Sequence, residues 1–168
     1  ALNLYWSIFV NASGSDTTHA QYPQHDFGLR DLIIDVNRQN NTAPSWRSDG
    51  YFGMGFDFIH VYNVKVQNCY IKNALGIGGL IYPRTTANPM IRSEISDTQF
   101  ESCGDGTALL SGGLFISNGT NEDRAILLDN LHFINNNKYG LMFEDGFGGE
   151  CNNIFIKRII RKIIFHLL

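Results

Sequence analysis

Charge is scarce in this chain. Asp, Glu, Lys and Arg make up 17% of its 168 residues, against roughly 25% in ordinary soluble domains. Apolar residues nevertheless reach 43%, which excludes an intrinsically disordered chain and suits one domain with a buried core. A net charge of −3 leaves no basic footprint, so nucleic acid is not the expected partner. Long apolar runs are also missing: Leu4–Val10 is too short, and Ile159–Leu168 is interrupted by Arg161, Lys162 and His166. A spanning helix needs roughly 18 uninterrupted apolar residues, so no transmembrane segment is expected. Cysteine is limited to Cys69, Cys103 and Cys151, with no CxxC pair. Neither a disulfide framework nor a zinc site is expected, and at most one bridge can form. The five histidines, His19, His25, His60, His132 and His166, show no ligand spacing, so no metal and no cofactor is expected. The opening Ala1-Leu-Asn-Leu-Tyr-Trp6 lacks a Met and a basic leader, as in a processed chain or a fragment.

What is abundant is Gly, with 17 residues, together with Asn, a composition of strands and turns rather than of helices. The Asn and Gly fall in a repeat. Leu29-Arg-Asp31-Leu32-Ile-Ile34, Val66-Gln-Asn68-Cys69-Tyr-Ile71, Ile95-Ser-Asp97-Thr98-Gln-Phe100 and Leu128-Asp-Asn130-Leu131-His-Phe133 share one pattern, and Ile156-Lys-Arg158-Ile159 reads as a fifth copy with Arg in the Asx position. Starts lie 37, 29, 33 and 28 residues apart, too long a period for a sandwich of hairpins. A second signature follows: Gly55-Phe-Asp57-Phe58, Gly79-Leu-Ile81-Tyr82, Gly113-Leu-Phe115-Ile116 and Gly140-Leu-Met142-Phe143. Each repeat is expected to hold two short strands that meet at an Asx bend, then a third strand opened by Gly. Asn and Asp tolerate the left-handed backbone of such a bend. Stacked at about 4.8 Å, Asp31, Asn68, Asp97 and Asn130 are expected to form a hydrogen-bonded ladder. Leu32, Cys69, Thr98 and Leu131 form one inner stack, and Ile34, Ile71, Phe100 and Phe133 another.

Asn63-Val-Lys-Val-Gln-Asn-Cys-Tyr-Ile-Lys-Asn73 resembles a turn of the right-handed parallel β-helix superfamily, which includes pectate lyases, polygalacturonases, alginate epimerases and phage tailspikes. The resemblance implies an all-β solenoid of about four to five coils over residues 27–160. It leaves 1–26 as an N-terminal strand or cap, and 161–168 as a C-terminal cap or truncated end. The final segment reads as an amphipathic cap helix or as one more strand. The resemblance also implies a site outside the Gly-opened strand and an extracellular or cell- or virion-surface location.

The family's reaction motifs are incomplete. There is no adjacent Asp pair and no Gly-His-Gly, and Ala87-Asn-Pro89-Met-Ile-Arg92 lacks the first Arg of the lyase pattern. Gly55-Phe-Asp57-Phe58 is only a faint echo of the epimerase motif. Counting alternate residues outward from the Gly-opened strand gives three columns: Gly55, Gly79, Gly113 and Gly140; then Asp57, Ile81, Phe115 and Met142; then Ile59, Pro83, Ser117 and Glu144. The apolar second column calls for cover by a neighbouring protomer, by strand Leu4–Val10, or by a ligand. Glycoside hydrolysis needs two carboxyl groups roughly 5 to 9.5 Å apart, and the expected catalytic set is Asp57, Asp105 and Glu144, with Asp123 and Asp145 nearby. Arg84, Arg92, Phe115 and Trp46 are the expected polysaccharide-binding residues, Trp46 lying in the long loop from Val36 to Tyr51. Asp35, Lys72 and Glu101 read as a structural charge ladder. Two functions follow: a polysaccharide-binding or polysaccharide-cleaving module, or a structural and adhesive subunit that assembles through Ile81, Phe115 and Met142.

Overall fold

A computed structural model describes residues 7–10, 24–41, 52–59, 61–82, 93–106, 111–117, 126–144 and 149–158. The protein is all-β with parallel sheets, and no α-helix occurs among the described residues. Its strands are β1 (Ser7–Val10), β2 (Gln24–Arg30), β3 (Ile33–Asp35), β4 (Met54–Ile59), β5 (Val61–Gln67), β6 (Tyr70–Lys72), β7 (Ile77–Tyr82), β8 (Ser93–Glu101), β9 (Gly112–Ser117), β10 (Ile126–Ile134), β11 (Tyr139–Glu144) and β12 (Gly149–Lys157). One sheet runs β1-β4-β7-β9-β11, and the other runs β12-β10-β8-β5-β2, with β3 and β6 continuing its second half. The chain alternates between the sheets, adding the pairs β2–β3 and β5–β6 on two visits to the second sheet and one strand at each other visit. β2 begins at Gln24, slightly ahead of the expected start at residue 27, and 161–168 lie outside the described residues.

The bend is present in every repeat. Asp31, Asn68, Asp97, Asn130 and Asn153 all have φ between 49° and 56°, a region where Asn and Asp are the least penalised side chains after Gly. The bend does not interrupt pairing, because Asp31 N–H donates to the Gln67 carbonyl at 3.1 Å and Asn68 N–H to that of Ser96 at 3.1 Å. β8, β10 and β12 therefore run straight through it as single bent strands. The fifth copy differs from expectation. It is Cys151-Asn-Asn153-Ile154-Phe-Ile156, in register with Leu128 to Phe133, so Asn153 rather than Arg158 holds the Asx position.

A second left-handed column lies five residues downstream of the first: Asn73, Ser102, Asn135 and Arg158, with φ from 53° to 55°. Its backbone N–H groups also continue the ladder, Asn73 to Glu101, Ser102 to Ile134 and Asn135 to Lys157. Ser and Arg break the Asx composition there, which hides the column in the sequence.

The inner stacks form as expected. Leu131 pairs with Thr98 and Ile154, and Ile34, Ile71, Phe100, Phe133 and Ile156 follow one another in register. The Phe100 and Phe133 rings stack at 5.3 Å and 11°, a geometry that adds to their area burial. Thr98 enters the apolar stack with its hydroxyl satisfied, donating to the Ser96 carbonyl at 2.8 Å. The fully buried Asn136 bridges two repeats, donating to the Phe100 carbonyl and accepting from Cys103 N–H, both at 2.9 Å.

The glycine column is corrected in both register and direction. It is Gly55, Gly78, Gly113 and Gly140, and it faces the interior. A Cβ on Gly55 would meet Ile71 Cγ2 at 2.7 Å, on Gly78 Phe100 Cδ1 at 2.9 Å, and on Gly113 Phe133 Cδ1 at 2.7 Å. Glycine is there because the backbone is crowded from two sides, by the carbonyl oxygen of the next strand's glycine and by large side chains from the opposite sheet. The next residue, Phe56 or Leu114, also belongs to the main core, so side-chain alternation slips by one at the glycine. The Gly78-Gly79 pair then places Leu80, not Ile81, beside Asp57, Phe115 and Met142, and Tyr82, not Pro83, beside Ile59. Ile81 turns into the main core, 0% exposed.

Candidate binding groove

The expected site residues do not converge. Asp57 is buried on β4, and Glu144 is exposed at the end of β11, three strand spacings away, or about 14 Å. Asp105 sits in the loop where Gly106 N–H donates to Ser111 Oγ, next to the start of β9, whereas Glu144 pairs with Ser117 at the other end of that strand. Five residues of strand separate those two positions, roughly 16 Å. Both separations exceed what glycoside hydrolysis uses. Phe115 is 1% exposed and packs with Met54, Ile77 and Leu80 in a second, smaller core. It offers no stacking platform, and Ile81 is likewise buried, whereas Met142 of the same column is partly exposed. β1 does not cover it but extends the sheet by pairing with β4. Trp46, Arg84, Arg92, Asp123 and Asp145 lie outside the described residues.

A groove lies on a different surface. About 540 Å³ in volume, it runs along the Asx bend, lined by Asp31, Leu32, Ile33, Asn68, Cys69, Tyr70, Asp97 and Gln99. The residue two past each bend points out, giving the column Ile33, Tyr70, Gln99, His132 and Phe155. Ile33 is 74% and Phe155 49% exposed, while His132 and Phe155 lie 5.4 Å apart. The column is mostly planar side chains at strand spacing. Period-2 counting outward from the bend would have found it.

The ladder beside this column is hydrogen-bonded in pairs. Asn68 Nδ2 donates to Asp31 Oδ1 at 2.7 Å, and Asn130 Nδ2 to Asp97 Oδ1 at 2.8 Å. Asn153 turns instead to Asp129, at 2.9 Å. Tyr70 is pinned by donating to Glu101 Oε2 at 2.6 Å, which Gln99 Nε2 also reaches at 2.8 Å. Burial and the Glu101 carboxylate push the Tyr70 hydroxyl up to about 12, so it stays a donor at neutral pH. Lys72 stands 5.6 Å from the Tyr70 ring centroid and pairs with Asp35 at 3.2 Å. This pair belongs to the expected charge ladder.

The thiol that lines this groove is not activated. Cys69 is a free, buried thiol whose desolvation raises its pKa, which suppresses the thiolate needed for nucleophilic attack. All three cysteines are free, and Cys103 is pushed up to about 12 by burial. Among the described residues no group of three His, Cys, Asp or Glu side chains is placed to hold a metal ion, and no helix is long and apolar enough to cross a membrane. No family model, curated protein or solved structure matches the chain.

Proposed function

We propose that the chain is a right-handed parallel β-helix that binds an extended polysaccharide along its Asx bend, at an extracellular or surface location. Regular alternation between two parallel sheets, each strand pairing with its counterpart one repeat away, supports the solenoid, and parallel crossovers are almost always right-handed. The observation that carries the binding reading is the groove itself: a planar column beside a row of carboxylates and amides, all repeating at strand spacing. Sugar rings stack on planar side chains through their C–H faces, and hydroxyls need donors and acceptors at their rims. Rungs about 4.8 Å apart match the length of one extended sugar unit, so equivalent contacts can recur along a chain. Calorimetric titration with soluble oligosaccharides tests this. Tyr70→Ala should weaken binding about tenfold, a loss of about 1.4 kcal/mol, and unchanged affinity would overturn the assignment.

A second reading is a structural or adhesive subunit. It is supported by β12, which has a strand on only one side among the described residues and carries Phe155 and Ile156 at 49% and 37% exposure. Such an edge invites pairing with another chain. Sedimentation showing a monomer at high concentration would remove this reading.

A further inference from the structure

We infer that the polysaccharide held along the Asx bend is a polycation, an amine-bearing polymer of the β-1,4-linked glucosamine type. The inference rests on the binding reading above and adds its charge. Asp31 and Asp97 are the charged side chains that line the groove, and no Lys or Arg lines it. Lys72, two residues from the groove's Tyr70, is paired with Asp35. Each groove carboxylate takes one amide donor from the ladder, Asn68 on Asp31 and Asn130 on Asp97. An ionised carboxylate accepts roughly four hydrogen bonds, so both keep capacity and neither has a cationic partner among the described residues. An anionic glycan meets like charge here, whereas an ammonium group gains charge-assisted hydrogen bonds.

Spacing makes the match more specific. In the column Asp31, Asn68, Asp97 the acids occupy alternate strands, about 9.6 Å apart at two strand spacings. An extended β-1,4 chain turns each sugar over relative to the last, so equivalent amines face one side at every second unit, close to that distance. The intervening Asn68 faces the flipped sugar with a neutral amide.

The test titrates the protein with hexamers of glucosamine, N-acetylglucosamine and galacturonic acid at mildly acidic pH, where the glucosamine amines are charged. The glucosamine hexamer should bind at least about tenfold tighter than its acetylated form, and the galacturonate hexamer should not bind measurably. Added salt should shrink the preference, because exposed charges are screened. The double substitution Asp31→Asn and Asp97→Asn should bring the ratio of the first two affinities to about one. Asn already occupies this position in three of the five repeats, and circular dichroism checks that the variant folds. Equal binding of the two glucosamine forms, tightest binding of galacturonate, or a preference that survives in the double variant would overturn the cationic assignment while leaving the groove a glycan site. Binding of none of the three hexamers would overturn both.

Discussion

Glycine and asparagine recur once per repeat in two different places, for opposite reasons. The Gly column lies against the opposite sheet, where Phe100 and Phe133 leave no room for a Cβ. The Asx column lies at the surface, where room is ample and the constraint is a left-handed backbone. One position is selected by volume, the other by φ. Substitutions should therefore fail differently: any added carbon harms the first, and only loss of left-handed tolerance harms the second.

The largest expected effect is on the interior side. Phe133→Ala removes a ring that stacks on Phe100 and faces both Gly113 and Gly140, and should cost about 3–5 kcal/mol in urea unfolding. Gly113→Ala drives a methyl against both the Gly140 carbonyl oxygen and the Phe133 ring and should cost about 1–3 kcal/mol. Pairing it with Phe133→Leu should recover the part owed to the ring, and a purely additive double variant would assign the whole cost to the carbonyl. On the bend side, Asn68→Ala should cost about 1–2 kcal/mol, from the left-handed penalty and the lost bond to Asp31. Asn68→Gly should cost distinctly less, and equal costs would show that the ladder bond, not φ, selects the residue.

Acid sensitivity should be a property of the outer side alone. Hydrogen bonds from Ser96 and Gln67 lower the Glu94 carboxyl below its ordinary 4.5, and the Asn73 amide does the same for Asp35 below 3.8. A depressed folded pKa contributes stability above the unfolded value that is lost as pH falls through the folded one. Stability should thus decline below about pH 4.5, and Glu94→Gln should flatten that decline. The smallest effect is expected at Lys72→Met, which breaks a half-exposed pair with Asp35 and should cost less than about 1 kcal/mol.

The Asx repeat was legible because αL backbone strongly favours Asn and Asp, so the bend writes itself into composition. The fifth copy was misaligned by five residues because Arg158 also takes a left-handed bend, in the second column, and its flanking Ile residues imitate the first. The catalytic set rests on acidity and on counting alternate residues outward from the Gly-opened strand. Asp57, Asp105 and Glu144 lie on different strands or opposite strand ends, and nothing in their local sequence encodes that separation. The groove went unread because Ile33, Tyr70, Gln99, His132 and Phe155 share a location but no residue type.

The sequence by itself determined the repeat, the bend residues and the inner stacks, since these rest on backbone preference and on strand alternation within one segment. The tertiary structure alone decided which way the glycines face. Alternation slips at each Gly, and only contact with Ile71, Phe100 and Phe133 on the other sheet selects the direction. That choice turned the Gly column and Ile81 into the main core, whereas Phe115 packs in the second, smaller core whichever way Gly113 faces.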